Sequence, residues 1–157
     1  MKSIKILVIT ALFFSVTSFK PNQAVPEMKW MGWNDGSALA TKKKKIALVD
    51  CYTEWCGWCK KMDKDTYSNQ QIQNKIAADF VPIKLNPELN QTYLFKGKQY
   101  DGKQLLYEIT NHAGVTGYPT IIFLIPSGKT TIVEMSVGYS NADQFSEVLD
   151  AMKAKRN

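Results

Sequence analysis

The sequence predicts an α/β domain with a central mixed β-sheet and helices on both of its faces. Three observations lead there. Apolar, β-branched runs recur at 46–52, 80–85 and 120–125, and segments with helical apolar spacing lie between and after them. The last run is joined by a short Pro126-Ser127-Gly128 turn to a further strand at 130–137, so parallel neighbours come first and an antiparallel pair last. A chain of 157 residues that is 45% hydrophobic can bury one sizeable core but is short for two.

Each element has a local reason. Trp30 to Trp33 is expected as a short strand, and Asp35 or Ser37 as the cap of a helix ending near Lys43. Ile46 to Tyr52 carries a single charge, Asp50, inside an apolar run, the pattern of a strand covered on both faces. From Gly57 to about Thr66 charged residues alternate with Trp58, Cys59 and Met62 at helical spacing, which puts Cys56 at the helix start. Ser68 with Gln71 reads as a capping box opening a helix to about Asp79. Phe80 to Leu85 is the next strand, with Pro82 near its start or at a bulge.

Between Pro87 and Gly102, turn signals at Gly97-Lys98 and Asp101-Gly102 suggest a surface hairpin. Leu105, Leu106 and Ile109 then mark a helix from Lys103 to about Ala113, ended by Gly114. Ser140 with Asp143 is expected to cap a final helix whose apolar face holds Phe145, Val148, Leu149 and Met152.

The first 18 residues have the layout of a signal peptide: Lys2 and Lys5, an apolar run from Ile6 to Val16, and small residues ending at Ser18. The run is short for a membrane span of about 20 residues. Residues 19–29 then form a linker and 30–157 the domain, with 87–102 as an insertion. Cleavage would remove Lys2 and Lys5, two of the six net positive charges, leaving a mildly basic chain at +4. The dense run Lys42 to Lys45 lacks interleaved aromatics, so a solvated helix end fits it better than nucleic-acid binding.

Cys51, Cys56 and Cys59 are the three cysteines. An odd number does not suit a stapled scaffold. In an oxidising compartment, Cys56 and Cys59 with two residues between them fit a redox pair. A thiolate rather than a thiol attacks a disulfide, and at a helix start Cys56 would meet unpaired N–H groups and the positive end of the helix dipole, worth about 0.3 to 2 kcal/mol. Cys59, one turn on, would resolve the mixed disulfide. It must first lose a proton, and Asp50 is the only acid in the preceding strand, where an unused buried carboxylate would be costly. Cys51 lies out of phase with Asp50 and reads as a core residue. His112 reads as a surface or packing histidine.

The segment Val49-Asp50-Cys51-Tyr52-Thr53-Glu54-Trp55-Cys56-Gly57-Trp58-Cys59-Lys60 resembles the active-site segment of thioredoxins. Lys84-Leu85-Asn86, Gly117-Tyr118-Pro119-Thr120 and Gly138 follow in that family's order, so the match spans about 30–152. Residues Cys59 to Ile72 are similar to the C-terminal thioredoxin-like domain of the bacterial transmembrane thiol:disulfide interchange reductases. The resemblance implies a thioredoxin fold, a redox-active Cys56–Cys59 disulfide, Asp50 as the buried proton acceptor, Lys84 as its neighbour, and Pro119 as a cis-proline against the redox pair. A client strand would then pair at Tyr118, with Trp55, Gly57 and Trp58 adding contact around the redox loop. Trp58 departs from the family, standing where thioredoxins have proline and oxidising relatives have histidine. No imidazolium is available to stabilise the Cys56 thiolate, which favours reduction or exchange over disulfide donation.

The function expected is therefore an exported, periplasmic or secreted, thiol:disulfide oxidoreductase needing neither cofactor nor metal. Its partners would be client proteins bearing disulfides or thiols and an upstream thiol donor, a membrane reductase among the candidates. Nucleic acid is not expected as a partner, and a monomer is the expected state. Two alternatives remain at this point: a copper or zinc carrier using Cys56 and Cys59, with or without Cys51 as a third ligand, and a non-catalytic binding module on the same scaffold.

Overall fold

A computed structural model describes residues 28–156. The expected signal peptide, 1–18, and linker residues 19–27 lie outside the described residues. The chain runs through helix α1 (Trp33–Lys43), strand β1 (Ile46–Cys51), helix α2 (Gly57–Met62), a π-helical turn (Asp63–Tyr67), helix α3 (Gln70–Asp79) and strand β2 (Phe80–Leu85). A small hairpin, β3 (Tyr93–Phe95) and β4 (Lys98–Tyr100), follows, then helix α4 (Gly102–Ile109), strands β5 (Thr120–Ser127) and β6 (Thr130–Val137), and helix α5 (Ala142–Ala154). The main sheet has the order β2-β1-β5-β6. β1 and β2 are parallel, while β1/β5 and β5/β6 are antiparallel.

Alternation along β1 divides the core. Ala47, Val49 and Cys51 pack with Val81, Ile83, Trp33, Leu105 and Ile109 on the side of α1 and α4. Ile46 and Leu48 pack with Ile121, Phe123, Met62, Ile76, Phe145 and Leu149 on the side of α2, α3 and α5. All six residues of β1 are buried, as a strand covered on both faces must be. Phe145 and Leu149 are essentially inaccessible, and burying side chains of this size stabilises by about 1.5 to 3 kcal/mol each. Pro82 sits inside β2 without disrupting the ladder. β2 is an edge strand, and the outward register position of Pro82 offers its carbonyl to Met31 N–H at 3.1 Å.

Several boundaries differ from expectation. Of Trp30 to Trp33 only Met31 pairs, in an isolated parallel bridge to Ile83. Helix α1 already begins at Trp33, with Gly32 as an N-cap that makes no side-chain bond. Trp33 is wholly buried and donates its indole N–H to Leu94 O at 2.9 Å, so packing overrides the capping preference of Asp35 and Ser37. Gly36 is required where α1 crosses β2, because a Cβ there would lie 2.5 Å from Ile83 Cγ1.

Ser68 does not cap α3, since it is still helical at φ −76° and ψ −14°. The extended Asn69 does so instead, its Oδ1 accepting from Gln71 N–H at 2.9 Å and Ile72 N–H at 3.3 Å. Likewise Asn141, not Ser140, caps α5 in a reciprocal bond with Gln144. Helix α4 opens on an Asp101–Gln104 capping box and closes at Ile109, four residues early, because Asn111 and His112 turn left-handed at φ 52° and 70°. Residues 87–102 hold the expected hairpin. It is closed at its base, where Gly102 packs so tightly on Pro87 that a Cβ would approach its backbone to 2.5 Å.

Candidate active site

The cysteine pair stands just beyond β1, at the junction with α2. Cys56 is the N-cap of α2, extended at φ −73° and ψ 99°, and its Sγ accepts the Cys59 N–H at 3.1 Å. Its own N–H is held by Thr53 O at 3.2 Å. Cys56 and Cys59 form a disulfide, with 5.3 Å between their Cα atoms. Both sulfur-bearing residues are nearly inaccessible, 4% and 3% exposed, whereas flanking Trp55 and Trp58 are 67% and 59% exposed.

Two aromatic contacts frame the pair. Trp55 meets Tyr118 edge-on at 5.9 Å, and its indole N–H donates to Glu88 Oε2 at 3.0 Å. Trp58 lies 5.5 Å from Tyr139. The Tyr118–Pro119 bond is cis. Pro119 O accepts from Gly138 N–H at 2.8 Å, while among the described residues the Tyr118 backbone makes no main-chain hydrogen bond.

Near the end of β1 that leads to the pair, Asp50 and Lys84 face each other across the parallel ladder. Lys84 Nζ donates to Asp50 Oδ2 at 2.6 Å and to Asp63 Oδ1 at 2.5 Å. Asp50 is 1% exposed and its Oδ1 has no hydrogen-bond partner among the described residues. Burial pushes the Asp50 carboxyl above its usual range, against the attraction and hydrogen bond of Lys84. Burial would lower Lys84, but Asp50 and Asp63 outweigh it and hold the ammonium above its usual value. The free Cys51 is fully buried on the opposite sheet face. Burial, reinforced by the Asp50 charge, drives its thiol well above the ordinary value.

The residues expected to act together thus lie near one end of the sheet. Cys56, Gly57, Trp58 and Cys59 belong to one turn, Asp50 and Lys84 are ladder partners, and Tyr118 reaches the loop through Trp55. The sequence reading missed Asp63, Glu88 and Tyr139. Asp63 had a signal, since the spacing Cys56, Lys60, Asp63 places it on one helical face. Glu88 and Tyr139 join the site only through tertiary contacts.

A disulfide at the head of a helix, following a strand that carries a buried acid, with a cis-proline at the start of the neighbouring strand, defines a disulfide oxidoreductase of the thioredoxin type. The family model of the thioredoxin-like domain matches residues 34–153, and the chain belongs to that family. It is 32% identical over 114 residues to the thiol:disulfide interchange protein DsbD of Actinobacillus pleuropneumoniae, covering 73% of this chain and 17% of that protein. The Escherichia coli K12 protein of the same name is 31% identical over 109 residues, covering 69% and 17%. The chain therefore spans about a sixth of the length of these relatives.

Among solved structures, a thioredoxin from Thermus thermophilus superposes with a TM-score of 0.66 at 20% identity, covering 83% of this chain and 91% of that one. The oxidised C-terminal domain of DsbD from Neisseria meningitidis gives 0.53 at 21% identity, covering 77% and 98%. These likenesses establish the fold. Among the described residues no helix is long and apolar enough to cross a membrane.

Proposed function

We infer that this chain is an exported thiol:disulfide oxidoreductase that reduces or exchanges disulfides in secreted or periplasmic proteins. One observation carries the reading: a Cys56–Cys59 disulfide at a helix start, in one fold with a buried, incompletely satisfied carboxylate paired to lysine. In the reducing direction the Cys56 thiolate attacks a client disulfide, forms a mixed disulfide and releases one client sulfur as thiolate. Cys59 passes its proton to Asp50, then attacks Cys56 Sγ, closing the Cys56–Cys59 bond and releasing the second client sulfur. Two electrons pass to the client, and an upstream dithiol restores the pair.

Trp55, Trp58 and Tyr118 offer apolar contact around the pair, and the unpaired Tyr118 backbone offers hydrogen bonds to an extended client segment. The relatives' name, thiol:disulfide interchange protein, supports the same chemistry. The same reading takes a membrane reductase as the upstream donor and the 1–18 segment as a signal peptide.

The metal-carrier alternative loses its third thiol, because Cys51 packs on the α1/α4 side while α2 packs its Met62 on the other. Reduction of insulin by dithiothreitol tests the proposal. Turnover above that of Cys56→Ala is expected, and equal rates would overturn it.

A further inference from the structure

Trp30 lies before residue 34, where the family match begins, yet it reaches the Asp50–Lys84 pair. Its position is fixed by its neighbour. Met31 N–H donates to Pro82 O at 3.1 Å and Lys84 N–H donates to Met31 O at 2.9 Å, docking this short stretch on the outer edge of β2. Met31 then packs on the α1/α4 side and Trp30 on the other, as alternation along an extended backbone requires.

There the Trp30 ring meets Tyr67 edge-on at 4.8 Å. Lys84 Nζ stands 4.7 Å from the Trp30 centroid, 5.1 Å from Tyr52 and 5.4 Å from Tyr67. Three aromatic rings thus surround an ammonium that donates to Asp50 and Asp63. Attraction between a cation and a ring quadrupole strengthens as water is excluded. The Lys84 side chain is 19% exposed and that of Asp50 only 2%. A surface depression lined by Trp30, Asp63, Tyr67, Gln73 and Lys84 adjoins the pair. Two enclosed oxygens, Asp50 Oδ1 and the Tyr67 hydroxyl, have no partner among the described residues.

We propose that Trp30 is a positioning residue for proton transfer: with Tyr52 and Tyr67 it holds the Lys84 ammonium against Asp50 and keeps bulk water off the pair. The inference rests on the reading of Asp50 as acceptor of the Cys59 proton. The titratable and charged groups around Asp50 are Lys84 from β2, Asp63 and Tyr67 from the π-helical turn, Tyr52 beyond β1, and Cys51 on the opposite face. Desolvation is the largest upward influence on Asp50. Opening the cage relieves it, which makes Asp50 a weaker base and Cys59 slower to ionise.

The test uses the reduced protein and 5,5′-dithiobis(2-nitrobenzoate) in stopped flow. Attack by Cys56 releases one aromatic thiolate and leaves a mixed disulfide, and attack by Cys59 then releases the second, so two absorbance phases separate the steps. Trp30→Ala is expected to leave the first phase near wild type. The second should slow roughly three- to tenfold at pH 7, with its acid limb moved to lower pH. Trp30→Phe, which keeps a ring and its apolar cover, should restore the second phase; Trp30→Gln, which has bulk but neither, should not. Superimposable second-phase pH profiles for wild type and Trp30→Gln would overturn the proposal, even if Trp30→Ala failed to fold. The parent reading fails by a separate sign, an Asp50→Asn second phase as fast as wild type.

Discussion

Asp50 and Cys51 are adjacent on β1, both essentially inaccessible and both titratable, yet alternation sends them to opposite faces of the sheet. Asp50 enters a polar niche where Lys84 bonds one oxygen and leaves the other free. Cys51 enters an apolar cluster with Val49, Leu85 and Ile122. Both groups are pushed toward their neutral forms, chiefly by burial. Burial alone therefore does not separate a reactive group from a packing one. The discriminating feature is a partner that makes the charged form attainable, which Asp50 has in Lys84 and Cys51 lacks.

The largest expected effect lies on the Asp50 side of this comparison. Asp50→Asn removes the proposed proton acceptor and should slow insulin reduction by about 10- to 100-fold at pH 7, whereas Cys51→Ala should stay within about twofold of wild type. Equal losses in the two variants would erase the distinction.

The same contrast has a pH signature in stability. The carboxyl of Asp50 in the fold titrates above its ordinary value of 3.8. Its contribution to stability is therefore fully present below that value and is lost as pH rises through the raised folded-state pKa. Lys84 is raised as well, but its contribution is lost only above the ordinary 10.5, outside this window. The stability of wild type relative to Asp50→Asn, from urea unfolding, should thus decline from pH 4 to pH 8. A difference that grows with pH would mean that the Asp50 carboxyl is shifted down rather than up.

Cys51 should behave as packing. Cys51→Ala leaves a small cavity and should cost about 1 to 2 kcal/mol, while Cys51→Ser adds a buried hydroxyl and should cost more, about 1 to 3 kcal/mol beyond the lost packing if the hydroxyl finds no partner. In the native oxidised protein Cys51 should resist iodoacetamide at pH 8 and react once the chain is unfolded, as read by mass spectrometry. Native-state labelling would move Cys51 to the reactive side of the comparison.

Legibility from sequence followed the same divide. Apolar β-branched runs, turn signals and helical patterns located β1, β2, β5 and β6 and placed Cys56 at a helix start, because those signals are local. The single acid in an apolar strand marked Asp50 before any partner was visible. Lys84 came only from resemblance, since its pairing depends on the parallel register of β1 and β2. The caps at Gly32, Asn69 and Asn141 escaped because neighbouring Ser or Asp residues offered equal local chemistry, and tertiary packing chose between them. Asp63 carried a spacing signal that only its bond to Lys84 made meaningful, and Trp30 required an edge bridge.

The smallest expected effect concerns Glu88, at the base of the 87–102 segment, which holds the Trp55 indole N–H at an exposed site. Glu88→Ala frees that bond to solvent and should change unfolding stability by less than about 0.5 kcal/mol. Trp55 is a proposed client contact, so loosening its orientation should show in the Michaelis constant for insulin rather than in turnover at saturation. Reduction of a small aromatic disulfide, which needs little of that surface, should be unchanged. The buried Asp50 and the exposed Glu88 then differ in kind. The first governs a proton and appears in the rate with any disulfide, and the second governs a contact and appears only with a protein client.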